Sequence, residues 1–148
     1  MLYSEIEVHG ARNWMRATLV LASRFDEVAK FKKRLLKLLT TSDFDASDLF
    51  AIQLAVEEAL VNAVRHGNQM DRRKRVHLRF IIGSKGFRIR IRDEGQGFNP
   101  NAVPDPTDLE NLERPTGRGL LMIRHYMHAV TFNAKGNAVT LLRRRTLA

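Results

Sequence analysis

Residues 56 to 68 read VEEALVNAVRHGN, a segment apolar enough to be the end of a buried helix. Glu58, Asn62 and His66 interrupt it at four-residue intervals. Successive helix positions rotate by about 100 degrees, so these three and Arg65 fall on one narrow polar stripe while Leu, Val and Ala cover the rest. TSDFDASD (41–48) supplies turn and capping residues before this helix, which is expected from about Asp48 to His66. A polar line along a buried helix needs something polar to face.

The strands downstream say where that something lies. RVHLRFII (75–82) and FRIRIRD (87–93) alternate and are joined by GSKG. Phe87, Ile89 and Ile91 share one strand face, and Arg88, Arg90 and Arg92 the other. Asp93 continues the inward series, placing a carboxylate toward the helix layer, where burial is costly without a donor. Inward Asp93 and the helix stripe together predict a wet pocket between sheet and helices.

Working outward, SEIEVH and MRATLVLA read as strands. DEVAKFKKRLLKLLT carries Val28, Phe31, Leu35, Leu38 and Leu39 at helical spacing. A Pro-, Asn- and Asp-rich loop runs from Asn99 to Thr116, followed by a helix GRGLLMIRHYMH and a strand pair from Val130 to Arg144 around KGN. The order predicts one α+β domain over 1–148, a two-layer sandwich of a mostly antiparallel sheet with helices on one face.

At 148 residues the chain can bury one core unaided. It has no cysteine, which excludes a disulfide framework, a thiolate zinc site and a cysteine nucleophile, and makes an intracellular address the default. The start MLYSEIEVHG has no basic segment followed by an apolar run, and no stretch approaches membrane-spanning length, so a cytoplasmic domain without membrane contact is expected. The net charge of +9 suits an anionic partner without naming one. For the arginine face of FRIRIRD, a solvated sheet surface is the simpler reading than a nucleic-acid interface.

Two glycine pairs indicate a ligand class. In EGQGFNP, Gly95 and Gly97 permit positive φ and close backbone approach. In PTGRGLL, Thr116 suits a helix N-cap, and Gly117 and Gly119 leave first-turn N–H groups open, which is how a helix start receives phosphate. Either pair alone also fits a simple turn.

Taken in order, EALVN (58–62), DEGQG (93–97) and TGRGL (116–120) resemble the N, G1 and G2 boxes of GHKL ATPases, which share the Bergerat fold. The runs VEEALVNAVRHGN and GRGLLMIRHYMHAV are similar to one branch, the bacterial anti-sigma factors that are also serine protein kinases. The motif-bearing match covers about Gln53 to Arg145. The resemblance implies ATP and Mg²⁺ as ligands, with the Asn62 amide oxygen on the metal and Glu58 orienting or deprotonating an attacking hydroxyl. It implies that Asp93 accepts from the adenine amino group, that Gly95 and Gly97 pass close to base and ribose, and that Thr116, Gly117 and Gly119 meet the phosphates. Residues Asn99 to Thr116 would form a lid and Thr140 would line the adenine pocket. It further implies a homodimer that phosphorylates an anti-anti-sigma domain protein and sequesters a sigma factor, with no direct nucleic-acid contact. No GxxxxGK is present, so a P-loop site does not compete.

Blander roles stand beside these. His66 suits a hydrogen bond at the helix end, and Glu57 a solvated position. His125 and His128 have metal-ligand spacing but no third ligand nearby in sequence. Leu121, Met122, Ile123 and Met127 read as core, and Arg118 is left open between triphosphate and solvent. Relatives commonly carry an acidic residue where this chain has His128, which bears on partner docking. Two other function classes remain: an ATP-binding regulatory module without kinase activity, and a basic nucleic-acid-binding domain, which leaves Glu58, Asn62 and Asp93 unexplained.

Overall fold

A computed structural model describes residues 3–9, 14–98 and 115–146. The strands are β1 (Tyr3–His9), β2 (Trp14–Ala22), β3 (Arg75–Gly83), β4 (Gly86–Arg92), β5 (Ala129–Phe132) and β6 (Ala138–Arg144). The helices are α1 (Phe25–Thr40), α2 (Ala46–Asn62) and α3 (Pro115–Tyr126). One six-stranded sheet has the order β1-β2-β3-β4-β6-β5, with every pairing among the described strands antiparallel.

Alternation decides which face the helices cover. Ala17, Leu19 and Leu21 of β2, Val76, Leu78, Phe80 and Ile82 of β3, and Phe87, Ile89 and Ile91 of β4 are all buried. Onto them pack Val28, Phe31, Leu35 and Leu39 of α1 and Ile52, Ala55, Val56, Ala59 and Leu60 of α2. Each large side chain removed from water contributes about 1.5–3 kcal/mol. Truncating fully buried Leu60 to Ala would cost about 2–5 kcal/mol. The opposite face carries the alternate residues, including exposed Arg79, Arg88 and Arg90.

Helix α2 is fixed at both ends, and this sets where its polar residues fall. Asp45 is the N-cap, its side chain accepting from the Asp48 N–H at 2.8 Å, so the helix starts two residues earlier than the expected Asp48. Asp48 is fully buried and accepts from Arg143 at 2.9 Å and from the Thr146 N–H at 2.8 Å. That charge-assisted contact ties the helix start to the end of β6. At the other end α2 stops at Asn62, and Ala63–Gly67 form a π-helical turn rather than the last α turn that the sequence suggests.

Helix α3 runs from Pro115 to Tyr126, two residues ahead of the expected Gly117 to His128. Proline is suited to a first helical turn, having no N–H to satisfy and a preset φ. Thr116 therefore lies inside the helix rather than capping it. Of the four residues expected in the core there, Ile123 in α3 and Met127 just beyond it are buried, while Leu121 and Met122 are 53% and 37% exposed. A helix laid over one end of α2 buries a single stripe, and these two sit off it. The expected lid falls largely on residues 99–114, outside the described residues.

Candidate functional site

Between α2, α3 and the ends of β4 and β6 lies a cavity of about 280 Å³. Its helix wall is Ala59, Asn62, Ala63 and His66, and its sheet wall includes Ile91, Asp93 and Val139. The volume is near the lower end of the range for small-molecule sites.

The π-turn at the end of α2 shapes the helix wall. The Asn68 N–H reaches back to Ala63 O at 2.8 Å, so one extra residue is held in the turn. Inserting a residue rotates what surrounds it, which is why such turns recur at functional sites. Asn62 and His66 face the cavity, but Arg65 leaves the expected stripe. It is exposed, with its guanidinium 5.4 Å from the Phe25 ring centroid. Burial and the neighbouring Arg65 charge push the His66 imidazole below its usual pKa. Its Nε2 is buried without a hydrogen-bond partner among the described residues. The sequence assigned His66 a helix-end hydrogen bond; instead the residue lies in the cavity wall with its Nε2 buried and unpaired.

Asp93 is held from two sides. Its N–H donates to Asn137 O at 2.8 Å, and Asn137 Nδ2 donates to Asp93 O at 3.0 Å. Its Oδ1 accepts from the Gly95 N–H at 2.8 Å. Burial raises the Asp93 carboxyl above its ordinary range, opposed by that N–H and by the charges of Lys135 and Lys74. Among the described residues no donor is aimed at Oδ2, so half of a partly buried carboxylate is left for a ligand. Asn137 is in turn fixed by Asn133, whose Nδ2 donates to its Oδ1 at 2.6 Å.

The two glycines after Asp93 serve different needs. Gly97 has φ +81°, and a β-carbon there would lie 2.0 Å from Lys135 O. Gly95 has no positive φ, yet a β-carbon there would lie 1.9 Å from Gly67 O. The loop after β4 therefore presses on the turn after α2 without room for a methyl group.

At the other end of the cavity, Gly119 brings α3 against α2. A β-carbon on it would meet Asn62 Nδ2 at 3.1 Å and Glu58 Oε2 at 3.2 Å. Gly119 and Leu120 are buried there. Gly117 belongs to the first turn of α3, and the side chains of Thr116 and Arg118 are outside the described residues. Asn62, Asp93 and Gly97 thus line one cavity, with Gly95 packed behind Asp93 and Glu58 and Gly119 beside Asn62.

Thr140 does not join them. It pairs with Arg90 across β4 and β6, and cross-strand partners share a face, so Thr140 lies on the arginine side of the sheet. Val139, paired with inward Ile91, lines the cavity instead. A one-residue shift in a strand reverses the face.

Several lining residues carry no signal in the sequence: Lys74, Gln69, Gln96, Asn137 and the edge-to-face pair Phe98 and Phe132, 5.2 Å apart. KGN reads as a turn and nothing marks its asparagine as a support for Asp93. Glu57, expected in solvent, pairs with Lys32 at 2.8 Å. His128 Nδ1 accepts from the Arg144 N–H at 2.8 Å. Among the described residues no helix is long and apolar enough to cross a membrane.

The arrangement suits a nucleotide. The raised carboxylate with a free oxygen suits an amino donor on a planar base, and the Phe98–Phe132 pair gives an apolar wall. Glu58 and the Asn62 amide beside Gly119 offer oxygen ligands next to a helix start, which suits a hard cation and phosphate.

Known proteins share this plan. The chain is similar to the serine/threonine-protein kinase BtrW of Bordetella bronchiseptica, 28% identical over 88 residues covering 58% of this chain and 62% of that protein. It is similar to the anti-sigma F factor of Oceanobacillus iheyensis, at 28% over 76% of this chain and 79% of the relative. The anti-sigma F factor of Anoxybacillus flavithermus is 32% identical over 63% of this chain and 65% of its own length. The chain thus spans under two thirds of two of these relatives. In three dimensions it resembles the crystal structure of the RsbU and RsbW domains of Rv1364c from Mycobacterium tuberculosis, with a TM-score of 0.59 and 20% identity over 88% of this chain and 33% of that one. That likeness shows the α+β fold. Residues 21–143 match the family model of the histidine kinase-like ATPase domain, and the chain belongs to that family.

Proposed function

We propose that this domain is an anti-sigma regulatory factor with Mg-ATP-dependent serine/threonine protein kinase activity. It phosphorylates a serine of an anti-anti-sigma partner and, when that partner is phosphorylated, holds a sigma factor. The reading includes a cytoplasmic homodimer. What supports it is membership of the ATPase family together with relatives named as a kinase and as anti-sigma factors. The observation that carries it is the cavity itself, with Asp93 at one end and Gly119 against Glu58 and Asn62 near the other.

In this reading ATP is the substrate. Asp93 accepts the adenine amino group on its free Oδ2. Gly97 admits the base close to the backbone, and the first turn of α3 offers N–H groups to the phosphates. Asn62 would hold Mg²⁺ through its amide oxygen, and the ion would supply neutralisation of the phosphate charge. Glu58 orients the partner's serine hydroxyl and accepts its proton. The serine oxygen forms a bond to the γ-phosphorus as the bond from that phosphorus to the bridging oxygen of ADP breaks. Positioning of this kind supplies most of the effect in phosphoryl transfer.

Calorimetric titration of ATP and ADP, with and without Mg²⁺, on the native chain and on Asp93→Asn is the first test. Magnesium-enhanced binding that weakens in the variant is the expected result. Absence of nucleotide binding under every condition would refute the reading. Mg-ATP binding without phosphate transfer to any anti-anti-sigma domain encoded beside this chain would reduce it to a regulatory module.

A further inference from the structure

Asn68 closes the π-turn after α2 and is fully buried. Its Nδ2 donates to Ser23 Oγ at 2.6 Å and to Arg75 O at 2.9 Å, and its Oδ1 accepts from the Glu94 N–H at 2.7 Å. These partners fix the amide orientation, because the Arg75 carbonyl requires a donor and the Glu94 N–H an acceptor. One side chain therefore joins the end of β2, the start of β3 and the loop that follows β4.

Each of those connections leads to the base end of the cavity. Glu94 separates Asp93 from Gly95, whose N–H holds the Asp93 carboxylate. Ser23 passes the link on by donating to Lys74 O at 2.8 Å, and Lys74 lines the cavity. On its own segment Asn68 lies between Gly67, which touches Asp93, and Gln69, another lining residue. Gln69 and Met70 have φ of +52° and +60°. Consecutive non-glycine residues persist in the left-handed region only where their surroundings over-determine them. Here the Asn68 amide and the Met70 N–H bond to Val64 O at 2.9 Å supply that restraint.

We propose that Asn68 is a positioning residue for base recognition: its amide holds Gly67, Asp93 and Lys74 in register and so sets which purine the cavity accepts. It touches no ligand and acts through Asp93. The phosphate end, built from Glu58, Asn62 and α3, is held separately by the packing of α2 against α3. The two ends should therefore respond differently when the amide is removed. This inference rests on the adenine reading above.

The test compares ATP with inosine triphosphate by calorimetry, with and without Mg²⁺, alongside thermal melts. Inosine triphosphate presents a carbonyl where adenine has its amino group, so the native chain should prefer ATP by about tenfold or more. Asn68→Ala should bring that preference to within about threefold while the enhancement of binding by Mg²⁺ persists; that split is one a general loss of stability would not produce. Ser23→Ala removes one acceptor and leaves Asn68 in place, so it guards against a variant that does not fold and should lower the preference by less. An unchanged preference in Asn68→Ala would overturn the proposal. So would equal loss of both ends of the site, or an unchanged preference in Ser23→Ala should Asn68→Ala not fold. A native chain that binds both triphosphates equally would refute the adenine assignment itself, a result distinguishable from any of these.

Discussion

Gly67 stands so close to Asp93 that a β-carbon at 67 would lie 2.2 Å from Asp93 Oδ2 and 2.3 Å from its carboxyl carbon. The obstacle is the end of a short side chain, which can rotate away. A β-carbon on Gly95 would lie 1.9 Å from the backbone oxygen of Gly67, and backbone cannot yield so cheaply. The same substitution should therefore have two outcomes. Gly67→Ala should keep a melting temperature within a few degrees of native and lose about tenfold or more in ATP affinity. Gly95→Ala should destabilise the fold by about 1–3 kcal/mol or more, as overpacked positions do. Paired denaturant melts and titrations decide the matter, and equal stability loss in both would show that Asp93 cannot give way.

Asn62 and Glu58 lie one helical turn apart and both face Gly119, yet their roles should separate kinetically. Asn62→Ala removes the amide oxygen assigned to the metal, so the ratio of ATP affinities with and without Mg²⁺ should fall to near one while the fold survives. Glu58→Ala should leave ATP binding within about threefold and lower phosphate transfer by about 10²–10⁴, the usual contribution of a positioned acid or base. Transfer at the native rate in Glu58→Ala would remove it from the chemistry.

Burial holds the Asp93 carboxyl above the ordinary aspartate value of 3.8, despite the Gly95 N–H and the charges of Lys135 and Lys74. A carboxyl whose folded pKa is raised binds its proton more readily folded than unfolded. Its destabilising effect is absent below the unfolded value and grows as pH rises through the folded one. Asp93→Asn should accordingly raise the stability of the ligand-free protein at neutral pH and change it little below pH 3.8. Binding runs the other way, because only the ionised carboxylate accepts from the base without a competing proton. ATP affinity of the native chain should fall as pH drops through the raised Asp93 pKa, and the variant should lose that dependence. Melts and titrations across the acid range read both effects.

The His66 imidazole has the opposite displacement, pushed below 6.5 by burial and by Arg65. The unfolded chain takes up that proton first as pH falls. Stability from this group is present above about pH 6.5 and is lost below it, until the folded imidazole also protonates. Replacing His66 with Gln should flatten the decline in melting temperature just below pH 6.5, and an unaltered slope would place the responsible group elsewhere.

Much of this was legible because periodicity is a strong local signal. Strand alternation placed Asp93 on the helix side of the sheet, and helix spacing put Asn62 and His66 on one wall of the cavity. What local pattern could not carry was a change of period. The π-turn at Ala63–Gly67 moved Arg65 off the stripe, and no residue type announces a five-residue turn. Thr140 was misplaced because face in β6 depends on the register with β4, which is set by pairing partners far away in sequence. Lys74, Asn137 and Asn68 reach the site through contacts across the fold, and each looks from its neighbours like an ordinary loop residue.

Arg79 and Arg90 are paired directly across β3 and β4 on the solvent face, with Arg88 two residues along the same strand. No ion-pair partner for any of the three lies among the described residues, and all three are exposed. Like charges opposite one another in an antiparallel pair are destabilising, by about 0.2–1 kcal/mol, and exposed charges interact less as salt rises. Arg90→Thr substitutes a strand-favouring side chain and ends the repulsion, so the variant should be more stable than the native chain in low salt. The gain should shrink as ionic strength approaches about 1 M, where the screening length falls to about 3 Å. Denaturant melts at several salt concentrations test this. A variant less stable than native in low salt would mean that Arg90 has a stabilising contact the sheet geometry does not reveal, and a salt-independent gain would credit strand propensity rather than charge.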